Sequence, residues 1–175
     1  VMVVFERIRR CVTLSAFEFF CETALKYVIA AGGRRPFRDN PQFMLLAEFD
    51  DDESAALDLF ERCLADGYVL DGVLSQSPRD AAEMWKLREG ITESIALFKP
   101  YKNDVAVRIS QVPNFVTAVE SLLGRSYPNY EIVWFGHIGD GNLHINIVRP
   151  LGTNDSAFQV TCQSISQDLA SIVSR

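Results

Sequence analysis

The segment from Glu131 to Val148 constrains the fold more than any other part of the chain. Two runs, Glu131 to His137 and Leu143 to Val148, flank the string Ile138-Gly-Asp-Gly-Asn142. Short apolar runs separated by Gly, Asp and Asn read as two strands joined by a tight turn. The fold must therefore contain an antiparallel pair. Elsewhere strand-like and helix-like segments alternate, which taken alone points to a parallel α/β sheet.

Periodicity supplies the remaining elements. Val12 to Phe19 reads as a strand running into a helix that carries Phe20, Cys21, Ala24, Leu25, Val28 and Ile29, stopped at Gly32-Gly33. Arg34 to Pro41 reads as a loop and Gln42 to Phe49 as a buried strand. Asp50, Asp51 and Asp52 put negative charge where a helix dipole favours it, ahead of the apolar stripe Ala55, Ala56, Leu59, Phe60, Cys63 and Leu64. Gly67 ends that helix and Tyr68 to Gln76 reads as another strand. Ser77-Pro78 then opens a helix through Trp85, Arg88, Thr92 and Ile95, closed by Lys99-Pro100. Lys102 to Ile109 alternates as a strand, and a helix starting at Pro113-Asn114 ends at Gly124. Thr153 or Asn154 caps a last helix through Phe158, Cys162, Ile165, Leu169 and Ile172.

With 175 residues, 48% of them apolar, the chain can bury a core without disulfides or metal. A net charge of -6 excludes a nucleic-acid-binding basic surface. No apolar run reaches the ~18 residues of a membrane helix. Cys11, Cys21, Cys63 and Cys162 form no Cys-x-x-Cys pair and read as reduced thiols of a cytosol-like compartment. The chain starts at Val1 and stops at Arg175 inside a helical pattern, so it reads as a piece of a longer protein.

Two clusters carry chemistry. His137 and His144 are the only histidines, seven residues apart around the turn, so they can face each other across two strands. Asn146 shares a strand face with His144, while Leu143, Ile145 and Ile147 point the other way. Two imidazoles suit a divalent metal, zinc above all, but leave a catalytic zinc site one protein ligand short. Asp140 could be the third ligand or could simply shape the turn. Two purely structural histidines are the plainer alternative. A metallophosphoesterase needs more ligands than two histidines provide. The second cluster is Trp85-Lys-Leu-Arg88-Glu89-Gly-Ile-Thr92-Glu93, where Arg88 and Thr92 share a helix face and could grip a carboxylate, joined by Lys102. The plainer alternative pairs Arg88 with Glu89 or Glu93 on a solvated face. No Gly-x-Gly-x-x-Gly or Walker loop supports a nucleotide site.

Trp85-Lys-Leu-Arg-Glu89, Lys102-Asn-Asp-Val105 with Pro113 downstream, and Gly136-His-Ile-Gly-Asp-Gly-Asn-Leu-His144-Ile-Asn146 stand in an order and spacing that resemble the C-terminal domain of the FAD-linked oxidases. The match is nearest to the branch of D-2-hydroxyglutarate and D-lactate dehydrogenases. The resemblance implies an α+β domain, a ferredoxin-like antiparallel sheet flanked by helices and truncated at its C-terminus. Residues 1–175 would be a single substrate-binding cap domain, with an FAD-binding domain upstream and absent here. It implies a zinc site on His137 and His144, the catalytic pair through that metal, and a substrate site on Arg88, Thr92, Lys102 and Asn146. The family's third zinc ligand and its base lie in a Glu-His-Gly segment that this sequence lacks. The implied reaction oxidises a D-2-hydroxy acid to a 2-oxo acid with hydride transfer to flavin, electrons then passing to an acceptor the residues do not specify. Thr92 and Lys102 favour a 2-hydroxyglutarate-like acid over lactate, while Asn103 and Ala106 depart from the family pattern. The implied location is a bacterial cytoplasm or a mitochondrial matrix, without secretion. The rival is a stand-alone, non-catalytic module that binds a metal or an organic acid.

Overall fold

The computed structural model describes residues 1–39, 41–50 and 53–173. Asn40 of the loop and Asp51 and Asp52 of the acidic run lie outside the described residues.

The hairpin forms the centre of the molecule. Strands β4 (Glu131–His137) and β5 (Asn142–Val148) pair antiparallel from Glu131↔Val148 to His137↔Asn142. Strand β1 (Leu14–Cys21) adds to the free side of β4, and β2 (Phe43–Phe49) adds to β1. Strand β3 (Tyr101–Ala106) adds to β5. The sheet order is β2-β1-β4-β5-β3, and every pairing is antiparallel. The expected α+β class holds, and the parallel sheet that bare alternation points to is excluded.

Six α-helices flank the sheet among the described residues. Helices α2 (Glu22–Ala30) and α4 (Pro78–Ala96) pack on each other and on one face. Helices α5 (Val112–Ser126) and α6 (Asp155–Val173) lie on the other, where Phe115 meets Trp134 edge-on and Ser166 bonds Asn103. The strands explain this division. Leu143, Ile145 and Ile147 are fully buried toward α5 and α6, whereas His144 and Asn146 face the side of α2 and α4. Helix α4 starts as its sequence dictates, with the Ser77 hydroxyl accepting from the Asp80 N–H and Pro78 in the first turn. Asn154 caps α6 by accepting from the Ser156 N–H, which resolves the choice between Thr153 and Asn154.

Several expected boundaries are corrected. Strand β1 runs to Cys21, so Phe20 and Cys21 belong to it. The Cys21 thiol then caps α2 by accepting from the Ala24 N–H. Strand β3 stops at Ala106, and Ile109–Gln111 form a 3-10 turn. Helix α5 passes through Gly124 to Ser126. The expected strand from Tyr68 to Gln76 is irregular instead, with Leu70 and Val73 exposed. Its backbone closes the end of α3 (Glu53–Ala65), the N–H groups of Tyr68 and Val69 both bonding the Cys63 carbonyl. Helix α1 (Met2–Ile8) precedes β1, and its Phe5 packs on Phe17.

Candidate active site

The turn between β4 and β5 is built by glycine and aspartate chemistry. Asp140 accepts the Asn142 N–H on its side chain at 2.9 Å and so shapes the turn, and among the described residues it joins no group of three that could hold a metal. Gly141 has φ +80°, and a Cβ there would stand 2.0 Å from the Val107 carbonyl oxygen. Its own carbonyl accepts the Val107 N–H, and Gly139 bonds the Phe17 carbonyl. The turn is thus tied to the strands on both sides, and this fixes the two histidines that flank it.

His137 and His144 project from the same sheet face with ring centroids 6.0 Å apart. Each ring is held at Nδ1 by a carboxylate. Asp104 on β3 lies opposite His144 and bonds it at 2.6 Å. Glu18 on β1 makes a short contact with His137. A carboxylate accepts, so Nδ1 carries the hydrogen, and in the neutral ring Nε2 keeps its lone pair. Metal-binding histidines are commonly oriented in this way.

Glu18 is buried and serves a second partner. Its other oxygen accepts from the Arg88 Nε at 2.8 Å. Arg88 descends from α4, where Leu87, Ile91 and Ile95 hold the helix against the sheet. Its guanidinium lies 4.7 Å from the Phe135 ring centroid, and Phe135 in turn touches His144. The pairing of Arg88 with Glu89 or Glu93 is thereby corrected: its partner is 70 residues away.

These side chains line one cavity of ≈ 400 Å³. Arg88 and Thr92 enter it from α4, Lys102 and Asp104 from β3, His144 and Asn146 from β5, and His137 from β4. All six residues singled out in the sequence therefore meet. Asn146 is buried, and its amide donates to the Val133 carbonyl at the long distance of 3.5 Å. The residues that sequence reasoning missed are Glu18, Asp104 and Phe135. Glu18 had a signal, being a lone carboxylate inside the apolar run Ala16 to Phe20.

The donor set fits a metal in part. Two imidazoles with oriented Nε2 atoms are suitable ligands. Among the described residues, however, no group of three or more His, Cys, Asp or Glu is placed to hold an ion.

A family model for FAD-linked oxidases, C-terminal domain, matches residues 1–161. The chain belongs to this family. It is 46% identical, over 99% of its length, to a D-2-hydroxyglutarate dehydrogenase of Xanthomonas citri pv. viticola. It is 42% identical, over 95% of its length, to a D-2-hydroxyglutarate dehydrogenase of Stutzerimonas stutzeri. A mitochondrial D-2-hydroxyglutarate dehydrogenase of Arabidopsis thaliana is 34% identical over 77% of this chain. The chain spans 38%, 37% and 25% of these three relatives, so each is much longer than the segment it shares.

Proposed function

We propose that this chain is the substrate-binding cap of an FAD-dependent D-2-hydroxyacid dehydrogenase acting on a 2-hydroxyglutarate-like dicarboxylic acid, with the FAD-binding domain elsewhere in a longer protein. The observation that carries the reading is the single cavity that collects Arg88, Thr92, Lys102, Asn146, His137 and His144. The names of the relatives favour a dehydrogenase over a stand-alone regulatory module.

Two carboxylates on the substrate call for two cationic partners, and Arg88 of α4 and Lys102 of β3 supply them. Arg88 is preorganised, since Glu18 engages its Nε and Phe135 carries its flat face. The Thr92 hydroxyl and the Asn146 amide add neutral hydrogen bonds. Together these groups orient the acid so that its Cα–H bond presents to one side, which is how binding energy becomes rate. When bound, FAD supplies the acceptor for the Cα hydride.

Charge balance supports a metal as well. The lining holds three carboxylates, Glu18, Glu89 and Asp104, against two cations, Arg88 and Lys102. With neutral imidazoles it is therefore net negative and poorly suited to a dianion. A divalent ion reverses that sign. His137 and His144 would hold it through Nε2, with a further ligand from outside the described residues, and zinc there supplies Lewis acidity toward the substrate hydroxyl. A bacterial cytoplasm or mitochondrial matrix suits this chemistry. The plant relative is named mitochondrial, and no helix among the described residues is long and apolar enough to cross a membrane.

The test is the anaerobic visible spectrum of the full-length protein. D-2-hydroxyglutarate is expected to bleach a flavin band, and D-lactate to bleach it more slowly. A flavin band that neither acid bleaches overturns the substrate class. A colourless protein overturns the dehydrogenase reading.

A further inference from the structure

We propose that Glu18 is a positioning residue that sets the tautomer of His137 and couples it to the carboxylate-gripping Arg88. The inference deepens the reading above, since Arg88 and His137 matter for function only within it, but its own test is independent of flavin and metal.

Register explains how Glu18 reaches both partners. Strands β1 and β4 pair at Phe19↔Gly136 and Phe20↔Phe135. The next step of that ladder sets Glu18 opposite His137. Both side chains then lie on the cavity face, where Arg88 comes down from α4. Glu18 is 3% exposed and its side chain gives one oxygen to Arg88 Nε and the other to His137 Nδ1. Asp104 bonds His144 in the same sense, but its side chain is 71% exposed, so solvent competes for it. Of the two carboxylates only Glu18 is shielded, and it hydrogen-bonds both Arg88 of the substrate cluster and His137 of the histidine pair.

The chemistry of the bridge makes the inference specific. Arg88 can only donate, and the two oxygens of Glu18 only accept from it and from His137. His137 must then carry its proton on Nδ1. In Glu18→Gln the volume is nearly unchanged, but the amide has one acceptor and one donor end. Arg88 demands the oxygen. The NH₂ group therefore faces His137 and donates to Nδ1, which forces the proton to Nε2. The atom proposed to bind metal is then blocked, although the carboxamide still fills the site and still holds Arg88.

The experiment is long-range ¹H–¹⁵N correlation on full-length, metal-free protein labelled at histidine, at a pH above the ordinary histidine range. His137 is expected as the Nδ1–H tautomer in the parent and as the Nε2–H tautomer in Glu18→Gln, with His144 unchanged in both. An Nε2–H tautomer in the parent overturns the inference, whether or not any variant folds. So does an Nδ1–H tautomer that persists in a folded Glu18→Gln. Chelator-competition titration of zinc tests the underlying reading separately. A parent that binds zinc is expected to lose roughly 10- to 100-fold in affinity in the variant. A tautomer switch in a parent that binds no zinc leaves Glu18 as the positioning residue and removes the metal.

Discussion

At the scale of single residues the cavity is built around a buried ion pair. The side chains of Glu18 and Arg88 are 3% and 10% exposed, and each is the other's counter-charge. Removing Arg88 leaves the buried Glu18 with the His137 ring as partner but without its permanent counter-charge. Arg88→Ala is therefore expected to destabilise the protein by about 3–5 kcal/mol, read as a shift of the urea midpoint. Adding Glu18→Leu to that variant is expected to restore much of the loss, because no lone charge then remains in the core. Arg88→Lys keeps the charge but forfeits the Nε bond and the flat stacking on Phe135. Its expected cost is roughly 10- to 100-fold in kcat/KM for the dicarboxylic acid, the equivalent of one charged hydrogen bond. His144→Ala removes a ring that is partly exposed and packed on Phe135. Loss of turnover with an unchanged urea midpoint is the expected result, and retained turnover would remove His144 from the chemistry. Residue identities were legible wherever the motif was local. His137, His144 and Asn146 lie within ten residues, and Arg88 and Thr92 within one helical turn or so. The partners of Glu18 were not legible, because they are 70 and 119 residues away and only the sheet register brings them together.

Among the elements, the β4–β5 hairpin has the least tolerance for change. Gly141 combines a positive φ with a backbone carbonyl where a Cβ would stand. Left-handed backbone alone costs about 1–2 kcal/mol for an L-residue, and the clash with Val107 adds to it. Gly141→Ala is thus expected to lower stability by at least about 2 kcal/mol in urea denaturation and to weaken acid binding, since both histidines flank the turn. A neutral outcome would mean that the turn is free to rearrange. The hairpin could be read in advance because its signal is local: turn residues between two apolar runs. Tyr68 to Gln76 failed as a strand for the complementary reason. A strand needs a partner as well as a pattern, and this segment instead spends backbone N–H groups on the Cys63 carbonyl at the end of α3. The end of β1 was misplaced because Phe20 and Cys21 fit a helical stripe as well as a strand. Pairing with Phe43, Met44 and Phe135 decided in favour of the strand.

Across the whole molecule, the sheet order could not be read from alternation, because adding β1 to β4 and β3 to β5 is a long-range choice. What was legible was the need for at least one antiparallel pair, and the complete sheet follows that sense. The two helices over the cavity face are held partly by charge. Lys26 and Tyr27 of α2 both donate to Glu131 at the start of β4, at 2.7 and 2.5 Å. Burial works against ionising Glu131, but the bonds from Lys26 and Tyr27 outweigh it and keep its carboxyl below the usual range. Burial, then the bond to Glu131, pushes the Tyr27 hydroxyl above its ordinary value. The signs follow from proton linkage. A lowered carboxyl stabilises the fold above the ordinary value of 4.5, and that contribution is lost as pH falls through the folded value. A raised phenol stabilises the fold below the ordinary value of 10.0, and that contribution is lost as pH rises beyond it. Thermal stability is therefore expected to fall on both the acid and the alkaline side. Glu131→Gln is expected to flatten the acid limb, and Tyr27→Phe the alkaline limb. Helix α2 also packs on α4, with Val28 beside Gly90 two residues from Arg88. Loosening α2 in acid thus frees the helix that positions Arg88, so affinity for the acid should decline in the same window as the melting temperature. A melting curve that stays level while affinity falls would place the acid sensitivity in the cavity itself and not in the docking of α2.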